Sequence, residues 1–325
     1  MHEPPPDTCL QFLVTGSSDG LIEVWDASSG AQRRDLAYQA EEAYMMHTTA
    51  ILSLSLSRDS ELLASGSADG CIKVWRVLTG ACVRRYEAAH GGAVTSLAFS
   101  RDGTHLLSAS LDGTARVHGL KSGRMLRELR GHDGFVHCAA YSSDCEHVVT
   151  GGADGTLRVW AARTGEPVAV TRMPSEHGET AAVLGLTLLP AGSGAAGSPQ
   201  HFIACLGSDR LQVVTLGGAL GMTFHADTMA SSMPARFVAA AASPHGDWVY
   251  GLTQAGTLCC FRVASGKLEH RLVRASLRCH VAAWHSSTAA YISSRALRLR
   301  TRMLLQAYAI TRITTPWLRS HATTR

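Results

Sequence analysis

The chain has 325 residues, of which 46% are apolar and 17% charged, and its formal net charge is +4. This composition excludes a disordered, highly charged chain, and so small a charge does not by itself indicate nucleic-acid binding. No stretch approaches the roughly 18 apolar residues of a membrane span, and no Cys-x-x-Cys pair occurs among the nine cysteines. We therefore predict a chain with no membrane contact and no zinc or redox site.

The predicted elements repeat along the chain. Asp-Gly pairs recur at spacings of 50, 43 and 42 residues, at Asp19-Gly20, Asp69-Gly70, Asp112-Gly113 and Asp154-Gly155. Six residues after each Asp comes a large ring, at Trp25, Trp75, His118 and Trp160. The same frame continues more weakly around Asp209 and Ala255. A period of this length is typical of an architecture built from repeated units.

Each unit is predicted to contain four short strands. In the third unit the apolar runs cover residues 93–100, 106–110, 114–118 and 125–129, with turn residues between them. Strands separated by Gly-containing turns form an antiparallel meander, and such sheets must stack around an axis to bury both faces. We predict an all-β propeller, nominally of seven blades, whose first and last blades are incomplete. Six units are recognisable, and a seventh begins near Cys279 without an Asp-Gly pair.

A second set of polar residues follows the same period. A histidine is followed 18 residues later by a hydroxyl residue, 22 later by the turn Asp and 28 later by the large ring. The three sets are His47, Ser65, Asp69 and Trp75; His90, Ser108, Asp112 and His118; and His132, Thr150, Asp154 and Trp160. Hydrogen bonds within each set satisfy polar groups that burial in a sheet makes costly. Because His118 stands where the other sets have Trp, we expect its slot to accept a large flat ring.

Histidine, serine and aspartate together also resemble a hydrolase triad. A catalytic constellation occurs once in a chain, whereas this one occurs three times with one spacing, so we predict a structural role and no enzyme activity. A Gly-x-Gly-x-x-Gly match at residues 192–197 precedes another apolar strand rather than a helix. Phosphate binding needs the helix N-terminus, so we predict no catalytic residue, no cofactor and no metal.

Arginines recur just beyond the Gly that follows each large ring, at Arg33, Arg34, Arg84, Arg85, Arg127 and Arg130. This position places them on the outermost strand of successive blades. One interpretation is a charged edge that discourages unwanted strand pairing. The alternative is an interaction band for an acidic peptide or for RNA phosphates, although no interleaved aromatic residues support base stacking.

Several segments together resemble a known family. They are residues 13–25 (LVTGSSDGLIEVW), residues 35–40 with Met45-Met46, residues 117–123 (VHGLKSG) and residues 130–132 (RGH). The sequence resembles WD40 propellers, and within them the propeller half of the splicing factors called "suppressor of mec and unc". That resemblance implies a nuclear scaffold of the spliceosome with a partner like the RED protein. The family's helical RED-binding half has no counterpart in this sequence.

The sequence divides into three predicted parts. Residues 1–11 are a proline-rich N-terminal remnant, residues 12–285 form the propeller, and residues 286–325 are an Arg-rich tail that we do not expect to be native propeller sequence. The alternative function is a generic WD40 adaptor, such as the substrate receptor of a ubiquitin ligase. Arginines on loops at the central channel would favour that alternative, because they bind phosphorylated motifs.

Overall fold

The computed structural model describes residues 12–27, 29–174, 181–190, 200–226, 236–272, 284–285 and 289–290. The predicted proline-rich remnant, the glycine-rich motif at 192–197 and nearly all of the Arg-rich tail lie outside these described residues. Almost all regular structure in this part of the chain is β-strand. Its helical content is one short segment, and no helix in these ranges is long and apolar enough to cross a membrane.

The first blade is a three-stranded antiparallel sheet. It consists of β1 (Phe12–Gly16), β2 (Leu21–Asp26) and β3 (Met45–Met46). Its two-residue third strand pairs with the start of β2, with Leu21 opposite Met46. The first blade is thus shorter than those that follow, as the sequence predicts.

The next three blades are four-stranded antiparallel meanders in which each strand pairs with its neighbour in the chain. Blade two contains β4 (Ile51–Leu56), β5 (Leu62–Ser67), β6 (Ile72–Arg76) and β7 (Cys82–Tyr86). Blade three contains β8 (Val94–Phe99), β9 (His105–Ser110), β10 (Thr114–Gly119) and β11 (Arg124–Arg130). Blade four contains β12 (Val136–Tyr141), β13 (His147–Gly152), β14 (Thr156–Ala161) and β15 (Pro167–Arg172).

Blades five and six repeat the same meander, although their sequence signals are weaker. Blade five contains β16 (Gly185–Leu189), β17 (His201–Cys205), β18 (Arg210–Thr215) and β19 (Leu220–His225). Blade six contains β20 (Phe237–Ala242), β21 (Trp248–Thr253), β22 (Leu258–Arg262) and β23 (Leu268–Leu272).

The blades are arranged around an axis formed by their first strands. β4 contacts β8, β8 contacts β12, β12 contacts β16, and β16 contacts β20. Apolar residues from facing sheets fill the spaces between blades; for example, Leu107 and Val117 of blade three share a core cluster with Val148 and Trp160 of blade four. Because each sheet is covered on both faces, the residues of its inner strands are buried at nearly every position, the serines and threonines included.

An insertion in blade one replaces part of its outer strand. It contains the short helix α1 (Ala37–Ala40). The buried Gln39 amide accepts a hydrogen bond from the Val24 N–H (2.7 Å) and donates one to the Val24 carbonyl (3.0 Å), as a paired strand would. Tyr38 donates to the Val77 carbonyl of blade two at 2.9 Å. The insertion therefore completes blade one and attaches it to blade two.

The prediction of seven blades is wrong for the described residues, which form six. After β23 these residues form only a two-residue ladder, of β24 (Trp284–His285) with β25 (Ala289–Ala290). β24 contacts β20 and β16, and β25 contacts β1 and β4, so the ladder lies between blades five and six on one side and blades one and two on the other. The physical reason is local: this stretch has no Asp-Gly turn and no ring residue at the required spacing.

Glycines in the tight turns between strands serve one or both of two purposes. Gly70, between the second and third strands of blade two, has a φ of +82°, and a Cβ there would lie 2.3 Å from the His90 carbonyl oxygen of the next loop. Gly103, between the first and second strands of blade three, also has a positive φ, +66°, but a Cβ there would meet nothing within 4 Å. Only the first glycine therefore combines a left-handed backbone with close approach to another chain segment.

Alanine should be tolerated differently at these two glycines. Gly103→Ala should lower the free energy of unfolding by about 1 kcal/mol, since it only places a side chain in the left-handed region. Gly70→Ala should cost at least about 2 kcal/mol more, because the clash is with backbone and displaces the loop that carries His90. Urea denaturation of both variants measures the difference. Equal losses would contradict the close packing of turn and loop.

Candidate functional site

The repeated polar sets lie where the turn of each blade meets the loop that enters it. In blade four, Asp154 lies in the turn between β13 and β14, and His132 lies in the loop before β12. Trp160 donates its indole N–H to the Thr150 hydroxyl at 2.8 Å, and His132 Nε2 lies 2.8 Å from the same oxygen. His132 Nδ1 lies 3.0 Å from Asp154 Oδ2. The structure thus brings all four predicted residues of this set together.

The direction of these hydrogen bonds follows from which groups can donate. Burial lowers the pKa of His132, although Asp154 acts to raise it, so the ring is neutral at pH 7. Its one N–H, at Nδ1, serves the carboxylate, which leaves Nε2 to accept the Thr150 hydroxyl proton. Since the Trp160 indole can only donate, one continuous chain runs from Trp160 through Thr150 and His132 to Asp154.

Blade three forms the same chain with a histidine in place of the tryptophan. His118 Nε2 lies 2.9 Å from the Ser108 hydroxyl, which lies 2.7 Å from His90 Nε2, and His90 Nδ1 is 2.9 Å from Asp112. Burial lowers the pKa of His118 to about 3. His118 is therefore neutral and acts as an indole substitute, with its Nε2 carrying the donated proton. Its buried Nδ1 has no hydrogen-bond partner among the described residues.

Tyr86 explains why blade three accommodates the smaller ring. The Tyr86 and His118 ring centroids are 4.9 Å apart, and Tyr86 lies on β7, the outer strand of the preceding blade. At the corresponding place in blade three, Leu129 shares a core cluster with Trp160 of blade four. A large residue on the neighbouring strand thus accompanies the small ring, and a smaller residue accompanies the large one. We therefore no longer expect the position of His118 to accept a tryptophan while Tyr86 is present.

Blade two departs from the predicted arrangement. His47 Nε2 lies 2.6 Å from the Ser65 hydroxyl and Trp75 donates to the same oxygen at 2.8 Å, but Asp69 does not bond His47. The Asp69 carboxylate instead accepts from the Thr48 hydroxyl at 2.9 Å. The hydroxyl of Thr48 reaches the carboxylate from the position next to the histidine, whereas blades three and four use a backbone N–H at that position. The prediction of a complete four-residue set is wrong for this blade.

Blade one contains half of the network, which the sequence reasoning did not single out. Trp25 donates its indole N–H to the Thr15 hydroxyl at 2.8 Å. Thr15 lies four residues before Asp19 in the sequence, as Ser65 lies four before Asp69, so the spacing could have identified it. The offset of 22 residues for the histidine falls before residue 1 of this chain.

The electrostatics of these sets favour a structural role over nucleophilic catalysis. Burial acts to raise the pKa of Asp112, but hydrogen bonds from Thr114 and His90 outweigh it and lower the pKa to about 2. Burial lowers the pKa of His90 as well. The Ser108 hydroxyl is fully buried between two imidazoles. A substrate carbonyl could not reach this oxygen without opening the blade.

The six arginines of the predicted band lie near the outer strands, but most of them have partners within the chain. Arg84 and Arg127 donate from Nε to backbone carbonyls of the next blade, those of Leu120 (2.8 Å) and Arg163 (2.9 Å). Three more of these arginines form ion pairs: Arg33 with Asp35, Arg85 with Glu87, and Arg130 with Glu128. Arg34 is exposed, with no side-chain hydrogen bond or ion pair in the described part of the chain.

One group of potential metal ligands occurs in the described ranges. The ligand atoms of Asp144, Glu146 and His147 lie within 4.8 Å of one another in a turn of blade four. Asp144 accepts hydrogen bonds from the Ser142 hydroxyl and the Gln200 amide, the latter at 2.8 Å. The carboxylate of Asp144 therefore has a role in closing the turn and joining blades four and five.

Two comparisons with known proteins agree with this geometry. The family model described as WD domain, G-beta repeat matches residues 6–26, 42–76, 80–118 and 123–161. The chain contains WD40 repeats folded as a β-propeller. WD40 propellers are generally non-catalytic protein-interaction domains. The four matched segments include every residue of the three polar sets.

A second comparison concerns a single relative. The chain is similar to the WD40 repeat-containing protein smu1 of Dictyostelium discoideum, with 49% identity over 85 residues. The matched segment is 26% of this chain and 16% of that relative. The resemblance that the sequence motifs indicate is therefore found independently, over 26% of the chain.

Removal of the turn aspartate should have different effects in different blades. Asp154→Ala should lower the free energy of unfolding by roughly 1–3 kcal/mol, because it leaves the buried Nδ1–H of His132 without an acceptor. Asp69→Ala should cost about 1 kcal/mol less, since Asp69 does not bond His47. Thermal and urea denaturation measure both variants. An unchanged Asp154→Ala melt would contradict the hydrogen-bonded chain.

Replacement of His118 should depend on Tyr86. His118→Trp alone should destabilise the propeller by roughly 1–3 kcal/mol, because the larger ring overpacks a slot that Tyr86 already fills. Adding Tyr86→Leu, which copies the Leu129–Trp160 pair, should recover most of that loss. A double-mutant cycle in urea measures the coupling. Additive effects of the two substitutions would contradict the volume exchange between them.

Proposed function

We propose that this chain is a non-catalytic scaffold of the spliceosome that acts in the nucleus in pre-mRNA splicing and splice-site choice. The observation that carries the proposal is the 49% identity over 85 residues to a protein named smu1. The propeller motifs support the same family, above all the sequence His118-Gly-Leu-Lys-Ser-Gly, in which the usual tryptophan is a histidine. Other proteins, including a RED-like partner, are the expected ligands.

The propeller supports a scaffold role because its blades are cross-linked. Hydrogen-bonded side-chain chains join each turn to the preceding loop in blades three and four. Such a frame holds loops in fixed positions, and rigid scaffolds that present loops are well suited to binding several partners. Because fold alone does not specify function, the splicing assignment depends on the resemblance.

The predicted arginines favour this assignment over a ubiquitin-ligase receptor. A receptor for phosphorylated motifs would use arginines at the central channel, whereas these six lie near the outer strands. Five of them already have a partner within the chain, so a continuous RNA-binding band receives little support from their geometry. RNA contact is therefore not part of the proposal.

Fractionation of nuclear extract tests the proposed function. The full chain, tagged and expressed in cells, should sediment with complexes that contain spliceosomal small nuclear RNAs. Depletion of the endogenous protein should shift splice-site choice in transcript sequencing, and wild-type chain should restore it. Asp154→Ala serves as the control for loss of the fold. A tagged wild-type chain that is cytoplasmic, or that sediments free of these RNAs, would contradict the proposal.

A further inference from the structure

Two equivalent arginines of neighbouring blades have different surroundings. Arg116 and Arg158 each lie four residues after the turn aspartate, on the third strand of their blades. Arg116 lies opposite Glu128 and donates to its carboxylate from Nε (3.0 Å) and Nη2 (2.7 Å). Its Nη1 donates to the Ala89 carbonyl. The guanidinium of blade three is therefore fully neutralised within the chain.

The guanidinium of blade four has no such partner. Arg158 lies opposite Val170, which occupies the position of Glu128. The Arg158 Nε is buried without a hydrogen-bond partner, and the side chain makes no ion pair in the described part of the chain. Blade four thus keeps the half-buried cation but lacks the carboxylate that accompanies it in blade three.

The surface around Arg158 is apolar and open. Val168 and Val170 lie on the outer strand β15 with exposures of 56% and 51%, although both are large apolar residues. Arg172, two residues beyond Val170, is also exposed. Val170 lies directly opposite Arg158, and Arg172, two residues along the same strand, shares its face. Val168 is the unpaired residue of a β-bulge next to them and is exposed beside Val170. We call these four residues, Arg158, Val168, Val170 and Arg172, the Arg158 patch.

We propose that the Arg158 patch binds an acidic segment of a protein partner, with a carboxylate on Arg158 and an apolar side chain on the two valines. A half-buried cation without a counterion is costly, so an incoming carboxylate recovers the interaction that Glu128 supplies in blade three. The exposed valines favour a peptide, because they can pack against an apolar side chain. The patch contains no aromatic ring on which an RNA base could stack, which disfavours RNA.

The proposal rests on the protein-binding role proposed above but not on the splicing assignment. If the peptide experiments below fail while the chain still sediments with small nuclear RNAs, only the Arg158 patch is disproved. If the peptide binds and the chain does not sediment with these RNAs, only the splicing assignment is disproved.

The first test supplies the missing carboxylate from within the chain. Val170→Glu copies Glu128 and should raise the melting temperature by about 2–4 °C, because it pairs with Arg158. The same substitution in an Arg158→Gln background should give no increase. A fall in melting temperature, or an equal increase in both backgrounds, would mean that Arg158 is not available for pairing and would overturn the proposal.

The second test measures binding to the folded full chain. The probe is a synthetic eight-residue peptide of alternating valine and glutamate, with a valine–glutamine analogue as control, followed by fluorescence anisotropy. Arg158→Gln, Val170→Glu and the glutamine analogue should each weaken binding at least about tenfold. The charge-matched control Arg124→Gln, at the far end of the outer strand β11 of blade three, should leave the affinity unchanged.

Two results would overturn the proposal. One is the absence of saturable binding of the acidic peptide below about 1 mM, the weak limit of specific recognition. The other is an RNA oligonucleotide that binds more tightly than the peptide and loses affinity in Arg158→Gln, which would identify the cation as a phosphate contact. Circular dichroism of each variant ensures that a lost signal reports the patch and not unfolding.

Discussion

The first four blades share a hydrogen bond between a buried strand hydroxyl and the ring of the next strand, and blades three and four extend it through a histidine to the turn aspartate. A blade must turn sharply between its second and third strands while the loop that enters it passes directly above, and both segments expose backbone polar groups. In blade four the path from Trp160 through Thr150 and His132 to Asp154 fastens the turn to that loop. The buried hydroxyl has one proton to donate and accepts one, so each member fixes the protonation of the next.

Because the blades repeat, equivalent residues of neighbouring blades can be compared directly. His118 takes the place of the indole in blade three, and Tyr86 of the preceding blade packs against its ring. Thr48 diverts the aspartate of blade two from its histidine. These substitutions change the bonds beneath the loop while the four-stranded meander of each blade is kept, which is expected where neighbouring units contribute most of the stability of a repeat architecture.

Equivalent arginines of the blades also differ in whether they have a partner within the chain or can bind one outside it. Most of the arginines that the sequence singles out already have partners within the chain; Arg84 and Arg127, for example, donate to backbone carbonyls in turns of the next blade. The sequence does not single out Arg158, yet Arg158 lacks the cross-strand carboxylate that its counterpart Arg116 has in Glu128. A protein-binding scaffold is distinguished by such unsatisfied groups, since a rigid frame offers partners only what its own contacts leave unused.

The period of the sequence alone determines the strand order, the turn glycines and the spacing of the polar sets, because these depend on local backbone geometry. The same spacing could also have identified Thr15 as the hydroxyl of blade one. It cannot show that Asp69 bonds the Thr48 hydroxyl instead of His47, because that choice depends on the three-dimensional positions of the side chains. The Gln39 amide that completes blade one and the partners of the described arginines are decided by tertiary structure. Each depends on which residue of a neighbouring strand or blade lies opposite, and register across sheets is set by packing rather than by sequence distance.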